Sequence, residues 1–363
     1  MDRVRIGLIG AGLIGSTHAI MLREIAERLG DAVELTAVCD AVPERRQLFQ
    51  KRYGFRHAFA TASELLRADI NAVFICTPTV SHAELVCAAA DRKLHIFCEK
   101  PLAMTYAEAV AIHKSVQRAG VINQIGLVLR FSAVYCVMAA QLAQPEMGAP
   151  MAVVFRDDQC FPIRGGHNTA WRKDRAQTAG GTLIEHGVHD LDLLTTLFGP
   201  IARLRAWQQN RAGHPGVEDY MAVELEFATG LRAQLVNLWH NMVERNSNRR
   251  LEIFCQAGFL ASDYDMIGDI LLQVGDGEEH RIAPPEVLQR FEALLQRSEH
   301  RFRDWYGLPY MLQDLSFIES LLADRPAAPD IGAGVEAQRL AAACYEAART
   351  GAEIAPIGWT PSP

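Results

Sequence analysis

Two short stretches carry residue types that can move a proton onto or off an oxygen. The first is Cys98-Glu99-Lys100-Pro101-Leu102, which ends an apolar run from Leu94 to Phe97. A lysine that follows an expected strand and is fixed by a proline holds its ammonium at the strand's carboxyl end, where open α/β sheets place their ligands. The second is Glu185-His186-Gly187-Val188-His189-Asp190, at the head of an expected helix from Val188 to Phe198. Glu185 and His189 are four apart, as are His186 and Asp190, so each pair shares a face if the helix starts this early. One pair can face a ligand while the other packs or meets solvent, and Glu185 with His189 is assigned to the site. An imidazole near its ordinary pKa takes a proton at neutral pH. An ammonium beside it donates a hydrogen bond to a developing alkoxide and lowers the histidine's proton affinity. From the residues alone, Lys100 also reads as half of a surface Glu-Lys pair, and Glu185 with His189 as a salt bridge or a metal site. Metal is disfavoured, because no third ligand follows at a suitable spacing.

The elements that must position these groups begin with Val4 to Ile9, a β-rich run followed at once by Gly10-Ala11-Gly12-Leu13-Ile14-Gly15 and a helical pattern through Leu29. This is G-x-G-x-x-G between a strand and a helix, the context in which the pattern binds a dinucleotide. Gly10 permits the tight turn, Gly12 leaves room for a pyrophosphate, and Gly15 lets the helix lie close to the strand, with Leu13 and Ile14 beside the cofactor. The helix amino end offers N–H groups to the phosphates. Val33 to Cys39 ends in Asp40, an acceptor for the ribose hydroxyls that favours NAD. Arg45 and Arg46 keep NADP open, or are solvated charges on the helix after Pro43. A third run, Ala72 to Cys76, leads into Thr77-Pro78-Thr79-Val80-Ser81-His82 and a helix from Ala83 to Asp91. Thr77 and Pro78 are expected on a loop crossing the cofactor; His82 sits either at the ligand or as a cap on its own helix. A helix from Tyr106 to Ala119 and a strand from Val121 to Leu127 complete a mostly parallel sheet with right-handed crossovers.

From Pro150 the pattern changes to strands joined by short turns: Met151 to Asp157, Ile201 to Gln209, Val217 to Phe227, Leu231 to Trp239, Leu251 to Gln256, Phe259 to Tyr264 and Ile270 to Val274. A sheet covered by one helix layer leaves a face for a second subunit, so a homo-oligomer, dimer or tetramer, is expected through that sheet. The loop from Phe161 to Lys173 either covers the pocket, with Asn168, Trp171 and Arg172 on substrate hydroxyls, or is an ordered loop in which Trp171 packs and Arg172 pairs with an acid. Helices are expected over Pro285 to Arg301, Tyr310 to Leu322 and Val335 to Thr350, the last packing back against the sheet.

Composition excludes several classes. The 363 residues are 49% hydrophobic, enough for a sizeable core, with a formal net charge of -7. Basic residues are scattered, as in Arg45-Arg46 and Arg249-Arg250, with no stripe for a phosphate backbone, so nucleic acid is not an expected partner. The eight cysteines are widely separated with no C-x-x-C, which fits free thiols in a reducing cytoplasm rather than a disulfide framework or zinc site. No run is long enough to span a bilayer, and the glycine spacing at the start speaks against a signal peptide.

Gly10 to Gly15, Cys76-Thr77-Pro78 with His82, Glu99-Lys100-Pro101-Leu102-Ala103, Trp171-Arg172-Lys173-Asp174 and Gly180-Gly181-Thr182-Leu183-Ile184-Glu185-His186-Gly187-Val188-His189-Asp190-Leu191-Asp192 follow one another in an order that resembles the glucose-fructose oxidoreductase, inositol dehydrogenase and MocA family. The likeness covers nearly the whole chain. It implies an α/β protein with an N-terminal Rossmann dinucleotide-binding domain, residues 1–127, and a C-terminal α+β domain, residues 128–363, with a large, mostly antiparallel open sheet; the last helix can pack back on the first domain. Lys100 matches the family's catalytic lysine and His189 its catalytic histidine. Glu185 falls where many members carry aspartate, and the extra methylene moves the carboxylate by ~1.5 Å. Thr182 stands where a third glycine is common. The expected activity is hydride transfer between NAD, or NADP, and a hydroxyl or carbonyl of a polyol, inositol or sugar, with Glu99 and Lys100 also at the cofactor. Reduction of another small carbonyl compound and a non-catalytic dinucleotide sensor are the alternatives.

Overall fold

A computed structural model of the chain describes residues 1–165, 169–296 and 307–360. In chain order the elements of the first half are β1 (Val4–Ile9), α1 (Leu13–Leu29), β2 (Val33–Cys39), α2 (Pro43–Tyr53), β3 (His57–Phe59), α3 (Ala62–Leu65), β4 (Ala72–Ile75), α4 (His82–Asp91), β5 (His95–Cys98), α5 (Tyr106–Ala119) and β6 (Asn123–Ile125). Then come α6 (Ala133–Leu142), β7 (Pro150–Cys160), α7 (Val188–Phe198), β8 (Ile201–Gln209), β9 (Tyr220–Phe227), β10 (Arg232–His240), β11 (Asn248–Cys255), β12 (Gly258–Ser262), β13 (Ile270–Val274), β14 (His280–Ile282), α8 (Pro284–Leu295), α9 (Leu308–Leu322) and α10 (Ile331–Thr350).

Strands β1 to β6 form one parallel sheet in the order β3-β2-β1-β4-β5-β6. Strands β2 and β4 are buried at every residue, because a parallel sheet is covered on both faces and its strands read as unbroken apolar runs. The order reverses between β1 and β4, the switch point at which such sheets open a crevice at their carboxyl edge. Thr105 and Glu108 cap the start of α5 reciprocally, and Gly120 ends it in the left-handed region.

The chain folds as two compact units, one of Met1–Leu127 with Ala176–Ala179 and Tyr310–Gln338, the other of Val128–Arg175, Gly180–Pro309 and Arg339–Pro363. Nearly all of α9 and the start of α10 belong with the first unit. Phe317 of α9 accounts for this: its ring centroid lies 5.6 Å from Phe74 on β4 and 5.9 Å from Phe97 on β5, themselves stacked at 4.7 Å.

In the second unit, eight strands run in the order β14-β13-β12-β11-β7-β10-β9-β8, antiparallel except for β7 beside β10. Alternate residues of β9 and β10 are buried, the signature of a sheet packed on one side. Tyr135 of α6 meets Phe155 at 6.4 Å and Phe198 of α7 meets Phe227 at 5.6 Å on the packed side. Among the described residues no helix is long and apolar enough to cross a membrane.

Candidate active site

In the first unit the glycine turn has the shape its spacing predicts. Gly10 has φ +102°, and a Cβ there would fall 2.6 Å from the Cys76 carbonyl oxygen; one at Gly15 would fall 2.0 Å from the Gly10 carbonyl oxygen. Both positions therefore require glycine for the fold itself. Gly12 does not, because a Cβ there meets no heavy atom within 4 Å. Protein leaves that space open, and Leu13 beside it is 53% exposed. The head of α1 carries no side-chain cap, so its first amides are turned to the same opening. Asp40 accepts the Ala11 N–H on Oδ2 and the Val42 N–H on Oδ1, each at 2.8 Å. A carboxylate has about four acceptor sites, so it can still take ribose hydroxyls. Arg46 donates to the Asp40 and Ala41 carbonyls at 3.2 and 3.1 Å, which commits it to the backbone of this turn. An open cradle, a free helix head and an acidic acceptor together fit a dinucleotide.

Lys100 is half-buried immediately beyond β5, at the carboxyl edge of the parallel sheet, and both neighbours are anchored. Glu99 is 5% exposed and turned inward, with Oε2 accepting the Lys100 N–H at 3.1 Å. The Pro101 carbonyl lies 2.7 Å from His82 Nδ1, while His82 Nε2 lies 2.9 Å from the Thr77 carbonyl. His82, expected at the ligand or as a helix cap, is thus a buried tie between the Thr77-Pro78 loop and the segment after the lysine. Thr77 and Pro78 themselves are half-buried.

In the second unit the predicted helix head is a π-helical turn, Leu183–Gly187, running into α7. Such wide turns gather at functional sites. The turn exists because the chain before it comes close to β9's approach: a Cβ at Gly181 would fall 1.7 Å from the Glu218 carbonyl oxygen. The Glu218 carboxylate then accepts the Gly181 N–H at 2.7 Å and the Leu183 N–H at 3.0 Å, and Tyr345 donates to it at 2.8 Å. Glu185 is 2% and His189 6% exposed. Arg172 Nε stands 3.6 Å from Glu185 Oε2, and its guanidinium carbon lies 4.3 Å from the centre of the Trp171 ring. Trp171, Arg172 and Glu185 are therefore brought together; Asn168 lies outside the described residues. The Thr182 hydroxyl is buried with no hydrogen-bond partner among the described residues.

His186 and Asp190 face the other way, into a buried charge cluster. His186 Nδ1 is 2.5 Å from Asp157 Oδ2; Asp190 accepts from Arg249 Nε at 2.9 Å and from Asn237 Nδ2 at 2.6 Å; Arg249 also donates to Asp265. One buried guanidinium meets three carboxyls here, so protons are retained. Burial, only partly offset by Arg249, raises Asp190 to about 8 and Asp157 to about 6. The residues that sequence reasoning missed are these anchors, Asp157, Asn237, Arg249 and Glu218, together with His18 and Asp314. The one legible signal was polar residues at inward positions of otherwise apolar strands, as with Asn237 on β10 and Arg249 on β11.

A nucleotide cradle on a parallel sheet, and a unit with Glu185 on a π-helical turn and His189 in the first turn of the helix that follows, fit a nicotinamide-type oxidoreductase. Residues 4–127 match the family described as an oxidoreductase family with an NAD-binding Rossmann fold, and residues 135–261 match the GFO/IDH/MocA C-terminal domain. The chain belongs to the GFO/IDH/MocA oxidoreductase family. It is 27% identical to the myo-inositol 2-dehydrogenase of Thermotoga maritima, over 72% of this chain and 75% of that one. It is 30% identical to the 4-carboxy-2-hydroxymuconate-6-semialdehyde dehydrogenase of a Sphingobium species, over 62% of this chain and 69% of that one. A solved levoglucosan dehydrogenase, in complex with NADH and levoglucosan, shares the fold with a TM-score of 0.86 at 19% identity, over 97% of this chain and 99% of that one.

Because the Gly12 cradle is open, Gly12→Ala should leave the thermal unfolding midpoint unchanged while weakening NADH binding at least about tenfold, the scale of one lost phosphate contact, read by nicotinamide fluorescence. Asp190 holds its proton to about 8 when folded and releases it near 3.8 when unfolded, so the folded state binds more protons between those values. Unfolding free energy should fall as pH rises through that window. Denaturant titrations at pH 5 and pH 8 should show a smaller fall for Asp190→Asn than for the wild type.

Proposed function

We propose that this chain oxidises a secondary hydroxyl of a polyol, inositol or sugar with NAD, or reduces the matching ketone. The observation that carries the reading is the seat of Lys100, half-buried at the carboxyl edge of the parallel sheet with both neighbours tied down. Gly10, Gly12, Leu13, Ile14, Gly15, Asp40, Thr77 and Pro78 are assigned to holding NAD, which supplies the hydride acceptor when bound; Asp40 favours it over NADP. Glu99 and His82 serve the cofactor through the loops they anchor. His189 takes the hydroxyl proton, and Lys100 donates a hydrogen bond to the oxygen as charge develops on it. Glu185, held by Arg172, orients the substrate, with Trp171 and Asn168 on its other hydroxyls. A myo-inositol dehydrogenase among the relatives and a levoglucosan dehydrogenase among the fold neighbours support the substrate class. The semialdehyde dehydrogenase supports a second reading, another small carbonyl compound as substrate.

Trp207, Val154 and Phe254 are 52%, 38% and 44% exposed, and the strand registers put them on one face of the second sheet. That apolar content supports assembly into a homo-oligomer through this face, and the eight free cysteines support a reducing cytoplasm. A monomer mass by light scattering at micromolar concentration would count against it. For the activity, the nicotinamide absorbance band is followed with a panel of polyols and sugars and with both NAD and NADP. NAD reduction by at least one alcohol is expected. Lys100→Met should then lower turnover at least ~100-fold with little change in dinucleotide affinity, and near-normal turnover would remove the lysine from the chemistry.

A further inference from the structure

His18 lies on α1, one turn beyond the glycine loop, and is fully buried. Its Nδ1 is 2.9 Å from the Asp314 carboxylate of α9, and its Nε2 is 3.0 Å from Glu99 Oε1. Ionised carboxylates only accept, so a ring between two of them carries a proton on both nitrogens; burial pushes the Asp314 carboxyl up, and the His18 charge and hydrogen bond pull it back down. Phe97, Phe74 and Tyr310 surround it at centroid distances of 5.0, 5.7 and 6.2 Å, and charge-assisted hydrogen bonds are stronger in such a dry setting. Burial works against the cation, but Asp314 and then Glu99 outweigh it and lift the imidazole to about 10. The titratable groups facing the two carboxylates are the Cys76 and Cys98 thiols, which burial and then the Glu99 charge keep protonated. At the far end Glu99 accepts the Lys100 N–H, and it is seated so closely on Gly126 that a Cβ there would fall 2.5 Å from Oε1.

We propose that Asp314, His18 and Glu99 form a positioning chain whose buried imidazolium locks the Glu99 carboxylate onto the Lys100 amide and so fixes where the lysine sits. The kinetic part rests on the reading of Lys100 as an acid–base group; the structural part does not. The folded imidazole titrates above its unfolded counterpart, so its contribution to stability is complete below about 6.5 and is lost as pH rises through about 10.

Asp314→Asn tests the chain, because it keeps the side-chain shape and removes the charge that holds the imidazolium. In the wild type at pH 8, nitrogen NMR should show both His18 nitrogens protonated; a neutral ring overturns the proposal, and this arm needs no variant and no substrate. In Asp314→Asn, hydrogen exchange at the Lys100 amide should speed up at least about tenfold as the local clamp opens. With a substrate in hand, kcat should fall about tenfold or more while the dinucleotide KM stays put, as expected of a displaced reacting group. An unchanged Lys100 amide in a folded Asp314→Asn protein overturns the proposal even if the enzyme turns over no alcohol. Full turnover in that variant overturns it as well.

Discussion

A carboxylate accepting main-chain N–H groups holds each of the three loops that carry the proposed site residues. Asp40 grips Ala11 and Val42 around the glycine turn, Glu99 grips Lys100, and Glu218 grips Gly181 and Leu183 at the head of the π-helical turn. Loops at a sheet edge have backbone donors with no ladder to join, and an unmet buried donor costs about 1–3 kcal/mol. An acid used this way meets those donors and fixes the loop in one conformation, which is what a side chain must have if it is to act at a set place.

The two units solve the cost of burying such acids differently. In the first unit a single cation, His18, stands between Asp314 and Glu99, and the surrounding rings exclude water. In the second, Arg249 is shared by Asp157, Asp190 and Asp265, with His186 on the outer edge of the group. One guanidinium cannot neutralise three carboxylates, so that cluster keeps a proton on Asp190, whereas in the first the extra proton sits on the His18 ring and burial also pushes Asp314 up. Buried ion pairs of this kind are weak contributors to net stability but are severe when broken, which favours a single arrangement of the elements they join.

Much of the first unit was legible because its strands are continuous apolar runs and its turn is written in glycines. The helix expected over Tyr106–Ala119 has those ends, and a capping threonine and a terminal glycine bracket it. The second sheet was legible from alternation. Helix α6 was not: Ala133–Leu142 is apolar on nearly every side, so no 3.6-residue stripe stands out from its neighbours. Strands β3 and β14, three residues each, are too short to show a period. Of the proposed site, Lys100, Glu185 and His189 stand out in the sequence as types in a pattern. Their anchors do not, because His18, Asp314 and Glu218 lie 81, 215 and 37 positions or fewer from the loops they steady, and such pairings exist only once the chain has folded.

The two positions that the resemblance marks as departures, Thr182 and Glu185, lie at one turn, on either side of the point where the helix widens. Gly181 cannot yield, because its Cα is pressed against the Glu218 carbonyl, so the backbone there is fixed and any added bulk must be taken up downstream. The longer carboxylate at 185 reaches the Arg172 guanidinium, which lies over the Trp171 ring. That contact ties the loop before the turn to the turn itself, with the arginine's charge shared between a carboxylate and an aromatic face. The Thr182 hydroxyl, buried and unmatched among the described residues, adds a polar atom where a glycine would have none. Residues 182 to 185 thus combine a fixed backbone with a carboxylate tied to Arg172 and a buried hydroxyl.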